Sequence, residues 1–522
     1  MSTATISEFK NETYLDFSKP DVQDKMKKAI EEVRKNFGRE YPLIINGKEV
    51  MLEKKFKSFN PSNKEEVVGI FQKADEKVAE NAMMSALESF EPWRKIHYEE
   101  RANYLFKAAE VMRKRRYELD ATMILEVGKN WLEADADLCE AIDFLEFYAR
   151  MMIEFGREIE LTDYPGEENH AFYIPLGVGI IIPPWNFPCA ILTGMTSAAI
   201  VAGNTTILKP SSDAPLIGFK VAEIFHEVGL PPGVLNFITG PGSVAGNYLV
   251  EHPKTRFVSF TGSKEVGMGI YRKTGEVVPG QIWLKRAVVE MGGKDAIIVD
   301  KEADMELAVD GVLKSAFGFQ GQKCSACSRA IVDAAIYDEF VNRLKTEVEQ
   351  IKMGDVTDND NYMGPVVNKS AFEKCKEYIE IGKREGKLLT GGTADDTKGY
   401  FVSPTVFVDI KPMSRMEQEE IFGPVLSVIK AVDYDDALKI ANDTVYGLTG
   451  AVYTRNKQKI NRAIDEFYVG NLYFNRKCTG AIVNVHPFGG FNMSGTDSKA
   501  GGRDYLLLFM QMKAYSMKKG TL

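Results

Sequence analysis

Cysteine and histidine are scarce in this chain, and long apolar runs are missing. Its 522 residues hold six cysteines, at positions 139, 189, 324, 327, 375 and 478, and five histidines, at 97, 170, 226, 252 and 486. So thin a set of thiols builds no disulfide framework, and reduced cysteines are expected. The Cys324-Ser325-Ala326-Cys327 pair lacks the second pair or the spaced histidines of a closed tetrahedral site, so no metal is expected. No stretch approaches the roughly 20 apolar residues of a membrane span. Met1 to Lys10 also lack a basic start followed by an apolar core. The expectation is a cytoplasmic protein without membrane contact. An excess of one charge is absent as well: 74 acidic and 65 basic side chains are mixed along the chain for a net charge of -9, which leaves no footprint for nucleic acid. Repeats and low-complexity segments are missing too.

What is present reads as an ordinary globular composition, 44% hydrophobic and 27% charged, in a chain long enough for two or three domains. Val22, Met26, Ala29, Ile30, Val33 and Phe37 recur at helical spacing after Pro20 and stop at Gly38. Leu43 to Val50 carries a central Asn46-Gly47, the signal of a two-residue hairpin turn. The pattern from Asp75 to Gly156 is helical, capped at Asp75 and interrupted by Pro92 and Gly128. Residues 164 to 175, polar then aromatic, predict a protruding hairpin. Beyond them, strand patterns at 178–182, 205–208, 235–238 and 257–260 alternate with helical ones. A second round of alternation runs from Arg329 to Val452, and an apolar terminal strand spans Leu506 to Met517, with a pairing partner expected in the hairpin or another subunit. The fold class is therefore α/β, with mostly parallel sheets whose ligands sit at the carboxyl ends of the strands.

Chemistry-bearing residues gather at those ends. Phe319-Gln320-Gly321-Gln322-Lys323-Cys324-Ser325 is a polar turn between a helix pattern and a strand. Cys324 there is either a nucleophile, its thiol acidified by Lys323 next door, or an ordinary half-buried cysteine. In Pro184-Trp185-Asn186-Phe187-Pro188, Asn186 is either an oxyanion donor or a turn residue. Lys209 ends a strand facing either a ribose or phosphate, or solvent. Phe260-Thr261-Gly262-Ser263 opens a helix, either against a pyrophosphate or as a common Gly-Ser turn, since the strict dinucleotide fingerprint is absent. Glu290, before Met291-Gly292-Gly293-Lys294, is either a buried general base or a solvated carboxylate. A glycine-rich loop from Arg476 to Gly495 is suited to close on a small substrate.

Together with Glu420-Ile421-Phe422-Gly423-Pro424, these motifs stand in an order that resembles the aldehyde dehydrogenase superfamily over essentially the whole chain. The amino-terminal extension, Phe319 to Ser325, and Asn475-Arg476-Lys477-Cys478-Thr479-Gly480-Ala481 look most like its 1-pyrroline-5-carboxylate dehydrogenase branch. The resemblance implies a Rossmann-type NAD-binding domain (1–157 and 177–289), an α/β catalytic domain (290–490) and a β oligomerisation flap (158–176 and 491–522). It implies Cys324 as nucleophile, Asn186 and the Cys324 amide as oxyanion hole, and Glu290 as the base for hydrolysis. Trp185, Lys209, Ser212, Gly262, Ser263, Gly267, Glu420 and Phe422 would line the dinucleotide site. The implied reaction oxidises L-glutamate γ-semialdehyde, from 1-pyrroline-5-carboxylate, to L-glutamate in proline degradation. Ser325, Gly480, Ala481 and Lys323 would then hold the substrate carboxylate, Glu140 its amino group, and Phe187 and Phe488 its chain. A homo-oligomer built from dimers, and a proline dehydrogenase as pathway partner, also follow from the likeness.

One position departs from the family pattern. Ser212 stands where many NAD-preferring members have a glutamate, and a serine does not repel a 2'-phosphate, so NADP is possible beside NAD. The alternatives are dehydrogenation of another semialdehyde or, from a different class, a Cys-x-x-Cys redox or metal-binding protein.

Overall fold

The computed structural model describes residues 7–520. Two seven-stranded sheets organise it. In the first, the order is Arg286–Glu290, Thr255–Thr261, Val178–Ile182, Thr205–Leu208, Leu235–Phe237, Leu43–Ile45 and Lys48–Val50. Its first five strands are parallel, and the last two form an antiparallel edge. The edge is the expected hairpin: Ile45 pairs with Lys48 across Asn46 and Gly47, both at positive φ. Two consecutive positive φ values match the right-handed twist of the strands, which is why Asn-Gly is so readable a turn.

The second sheet runs Lys387–Thr390, Thr405–Val408, Val425–Ala431, Arg329–Asp333, Ala296–Val299, Thr449–Tyr453 and Asn471–Phe474. It is parallel except for the antiparallel edge Lys387–Thr390. Central strands such as Thr205–Leu208 and Ala296–Val299 are buried along their whole length, as expected where helices cover both faces. Helices fill the region after Asp75, whose carboxylate caps Glu76–Arg94 by accepting from the Val78 amide. Pro92 sits within the last turn of that helix without ending it, whereas Gly128, in the left-handed region, does terminate Arg116–Val127.

The long helix Trp131–Phe155 is buried along most of its length and packs on Tyr98–Lys114 and Ala190–Val201. The first helix is Pro20–Arg34, burying Val22, Met26, Ile30 and Val33; Phe37 lies past its end.

The expected hairpin at 164–175 is corrected to one strand, Glu167–Pro175, whose antiparallel partner is Met510–Lys518 at the far end of the chain. The expected terminal strand also begins later, because Arg503–Phe509 winds as a 3-10 turn. The ribbon is rooted through Asn204, which accepts from the Leu176 and Gly177 amides and donates to the Phe509 carbonyl.

Candidate active site

Strand ends of the first sheet face the turn that carries Cys324. The helix Met305–Phe317, capped by Asp304 through the Leu307 amide, runs into Phe319, Gln320 and Gly321, all three at positive φ. Left-handed backbone costs a non-glycine residue about 1–2 kcal/mol, so this turn persists only where its surroundings hold it. Gln320 is held through its side-chain amide, which donates to the Gly128 and Pro365 carbonyls at 3.0 and 2.9 Å. Gly321 has no room for a side chain, since a Cβ would lie 2.5 Å from the Gly423 oxygen. The result is a half-buried Cys324, while the other five cysteines are buried. Cys327 is buried in the apolar core that also holds Ala330 and Val428, as a packing residue would be.

Cys324 faces a mostly apolar cavity walled by Phe187, Phe488, Phe144 and Met195. Glu290, Glu140, Ser325, Gly480 and Ala481 line it as well. Glu290 ends the strand Arg286–Glu290 and accepts from the Ser498 hydroxyl at 2.7 Å and from the Ser498 and Gly490 amides. Burial pushes its carboxyl up to about 7 against those hydrogen bonds, which suits a group that must take a proton near neutrality. Burial, helped by Asp137, pushes Glu140 up to about 8. Asn186 is buried and donates to the Gln322 carbonyl at 3.1 Å, which fixes its amide beside the Cys324 turn and leaves a second N–H to offer.

The thiol itself is pushed up, first by burial and then by Asp295, Glu290 and Glu420. Lys323 therefore corrects the sequence expectation. Its ammonium pairs with Glu133 at 2.7 Å and does not line the cavity, so it neither acidifies Cys324 nor reaches the substrate space in this structure.

A second cleft, of about 610 Å³, opens on the other side of Cys324. Trp185, Lys209, Ser212, Gly262, Ser263, Glu420 and Phe422 line it. Lys209 is buried, its ammonium meeting only the Pro210 carbonyl at 3.4 Å, and burial lowers it to about 8. Ser263 caps the helix Lys264–Gly275 and so sets that helix's amino end at the cleft. Glu420 accepts from the Gly293 amide, and Gly292 makes room for it: a Cβ there would lie 2.1 Å from the carboxylate. An under-satisfied buried cation, a helix amino end and a carboxylate in one elongated cleft fit a dinucleotide, with hydroxyls for Lys209 and Glu420 and a pyrophosphate for the helix. Gly267 is a second correction. It lies outside the cleft lining, and its missing Cβ makes room for Met291 and Val289, so it serves packing.

Sequence reasoning missed Ser498 and Arg476. Arg476 donates to the Thr479 and Gly480 carbonyls at 2.9 and 3.2 Å and lies over the Tyr473 ring, fixing the loop that presents Gly480 and Ala481. Its place three residues before Thr479 is the one signal available. Ser498 lies 208 positions from Glu290 and carries none. Among the described residues no cluster of three His, Cys, Asp or Glu side chains is placed to hold a metal, and no helix is long and apolar enough to cross a membrane.

The aldehyde dehydrogenase family profile matches residues 49–515. This chain belongs to the aldehyde dehydrogenase family. Among family members, it is 55% identical over 511 residues to 1-pyrroline-5-carboxylate dehydrogenase of Geobacillus thermodenitrificans (strain NG80-2), covering 98% of this chain and 99% of that one. A crystal structure of 1-pyrroline-5-carboxylate dehydrogenase from Thermus with bound NAD superposes with a TM-score of 0.97 at 51% identity, covering 98% of this chain and all (100%) of that one. Proline utilization A (PutA) from Bdellovibrio bacteriovorus superposes at 0.96 with 44% identity, over 98% of this chain but 53% of its own. The aldehyde dehydrogenase fold, α/β with two largely parallel sheets, is thus the one expected.

Proposed function

We propose that the chain oxidises L-glutamate γ-semialdehyde, the open form of 1-pyrroline-5-carboxylate, to L-glutamate with NAD. One observation carries this reading: the thiol, its base and the groups suited to an amino acid share one cavity, with Cys324 and Glu290 facing Glu140, Ser325, Gly480 and Ala481. The relatives named above at more than half identity carry that activity in their names.

In this reading Cys324 gives up its thiol proton to water as its sulfur bonds to the aldehyde carbon, and the carbonyl electrons move to oxygen, where Asn186 and the Cys324 amide meet the charge. When bound in the cleft, NAD supplies the acceptor for the hydride that leaves the same carbon. Glu290 then takes a proton from water, whose oxygen attacks the thioester, and Cys324 departs with the proton restored. Phe187 and Phe488 flank the substrate chain, and Glu140 ionises as it accepts from the substrate ammonium. A hydrolytic base in the site favours an acid as product. Trp185, Lys209, Ser212, Gly262, Ser263, Glu420 and Phe422 hold the dinucleotide.

We assign residues 1–157 and 177–289 to dinucleotide binding, 290–490 to catalysis, and 158–176 with 491–522 to an assembly flap; residues 1–6 and 521–522 lie outside the described ones. A homo-oligomer built from dimers is supported by Ile282 and Leu284, exposed by 81% and 80%, and by the outward ribbon. The match to half of proline utilization A supports a proline dehydrogenase as pathway partner. Six free cysteines accord with a cytoplasmic setting.

The test is formation of NADH and NADPH by purified protein given 1-pyrroline-5-carboxylate, succinate semialdehyde or propanal, with Cys324→Ser as control. Preference for 1-pyrroline-5-carboxylate, lost in the variant, is expected. Preference for another aldehyde would overturn the substrate, and no turnover of any aldehyde would overturn the enzyme reading.

A further inference from the structure

The most unusual charge in the molecule lies outside the reaction just described. Lys129, between the helices Arg116–Val127 and Trp131–Phe155, is 0% exposed. Its ammonium pairs with Asp137, also 0% exposed, at 3.0 Å. It also faces two aromatic rings, 4.1 Å from the centroid of Phe187 and 4.5 Å from that of Phe319, and its charge is felt by Glu133 and Glu140. Buried ion pairs are often replaceable by apolar side chains without loss of stability, so a cation kept between two rings invites a reason beyond folding.

The two rings belong to the two turns that meet at the reactive site. Phe187 walls the cavity and adjoins Asn186. Phe319 is the first left-handed residue of the turn that delivers Cys324. The ion-pair partner holds the Phe187 side again, because Asp137 accepts from the Ala190 amide at 2.7 Å, at the start of the helix that follows the Asn186 turn. The neighbour of Lys129 holds the Cys324 side again, because the Gly128 carbonyl accepts from Gln320 at 3.0 Å. Two ring contacts from Lys129, a hydrogen bond to Gly128 and one to Asp137 in the following helix thus tie the nucleophile turn and the oxyanion turn to the junction of these two helices.

We infer that Lys129 is a positioning residue: by attracting both rings it fixes the Cys324 turn, left-handed and costly on its own, against the Asn186–Phe187 turn. The inference rests on the proposed role of Cys324, and it acts through Phe187 and Phe319, not on the substrate. The attraction is electrostatic, between a cation and the negative faces of the rings, so a neutral side chain of similar length does not reproduce it.

The test uses the full-length protein and the double variant K129M/D137N, which removes the charges without leaving either partner buried alone. Readouts are the melting temperature, the dissociation constant for NAD, kcat and KM for 1-pyrroline-5-carboxylate, and the rate at which iodoacetamide alkylates Cys324, followed by mass mapping. The expected result is a near-unchanged melting temperature and NAD affinity, a Cys324 alkylation rate altered ~5-fold or more, and kcat lowered ~10-fold or more, since small misplacements of reacting groups have effects of that order. Wild-type alkylation and kcat in the double variant would overturn the inference. Phe319→Leu, which keeps the ion pair and removes one ring, is read in parallel: altered alkylation with an unchanged melting temperature supports it, and unchanged alkylation overturns it. Alkylation requires no turnover, so a wild-type protein that oxidised no aldehyde would sink the proposed function while leaving this test in force.

Discussion

The hydroxyl of Ser498 donates to Oε1 of Glu290 across 2.7 Å, joining residues 208 positions apart. That bond favours the charged carboxylate and holds Glu290 down to about 7 against its burial. In Ser498→Ala the pKa of Glu290 therefore rises. The acid limb of the kcat profile is expected to move up by about 1–2 pH units, the equivalent of one hydrogen bond to a charged group. A profile measured between pH 5 and 10 checks this, and an unmoved acid limb would separate Glu290 from the rate.

Glu290 also bears on the thiol, since its charge is among those that push Cys324 up. In Glu290→Gln that charge is gone, and alkylation of Cys324 by iodoacetamide at pH 8, without dinucleotide, is expected to be about 3-fold faster or more. The same variant speaks to stability. Because the folded pKa is raised above its ordinary 4.5, the folded state binds the extra proton between about 4.5 and 7, and stability from this group falls as pH rises through that window. Glu290→Gln is expected to melt higher than wild type at pH 8 and to lose that advantage by pH 4.

At Gly267 an added Cβ would lie 2.6 Å from the Met291 sulfur and 3.0 Å from Val289. Gly267→Ala is expected to lose about 1–3 kcal/mol by overpacking the helix Lys264–Gly275 against the strand Arg286–Glu290. Urea denaturation measures the loss. A dissociation constant for NAD within about 2-fold of wild type would place the residue in packing; a large change with unchanged stability would restore it to the dinucleotide site.

Ser212 is exposed at the rim of the dinucleotide cleft, with Asp213 beside it bound to the Asn368 amide at 3.0 Å. In the proposed dinucleotide site, Ser212→Glu adds a carboxylate that would repel a 2'-phosphate. Turnover with NADP is expected to fall about 10-fold or more while NAD changes little, a difference of the size one close like-charge contact gives. The ratio of kcat/KM values for the two dinucleotides decides it, and an unchanged ratio would place Ser212 away from the ribose.

Much of this architecture is legible in the chain because the signals are local. Asn46-Gly47 specifies its turn, Asp75 its cap, and the strand Thr205–Leu208 has the bounds that its apolar run suggests. Cys324, Glu290 and Asn186 each sit in a short motif at a strand or helix end, which is why the sequence alone puts them forward as candidates. The failures share a cause as well. Lys323 neighbours Cys324 in the chain, but adjacent side chains in a turn diverge, and its ammonium finds Glu133, 190 positions away. Glu167–Pro175 finds its partner only at Met510–Lys518, and no local pattern reports a pairing over that separation. Lys129 sits in no motif of the chain, and only the fold brings Asp137, Phe187 and Phe319 around it.

The ribbon of Glu167–Pro175 and Met510–Lys518 also sets an order of events in the making of the protein. Domains fold progressively during synthesis, amino-terminal parts first. Here Glu167–Pro175 is translated well before Met510–Lys518, the strand it pairs with. The ribbon cannot close until Met510–Lys518 has been made, so any assembly that uses it comes after every residue lining the two clefts has been translated.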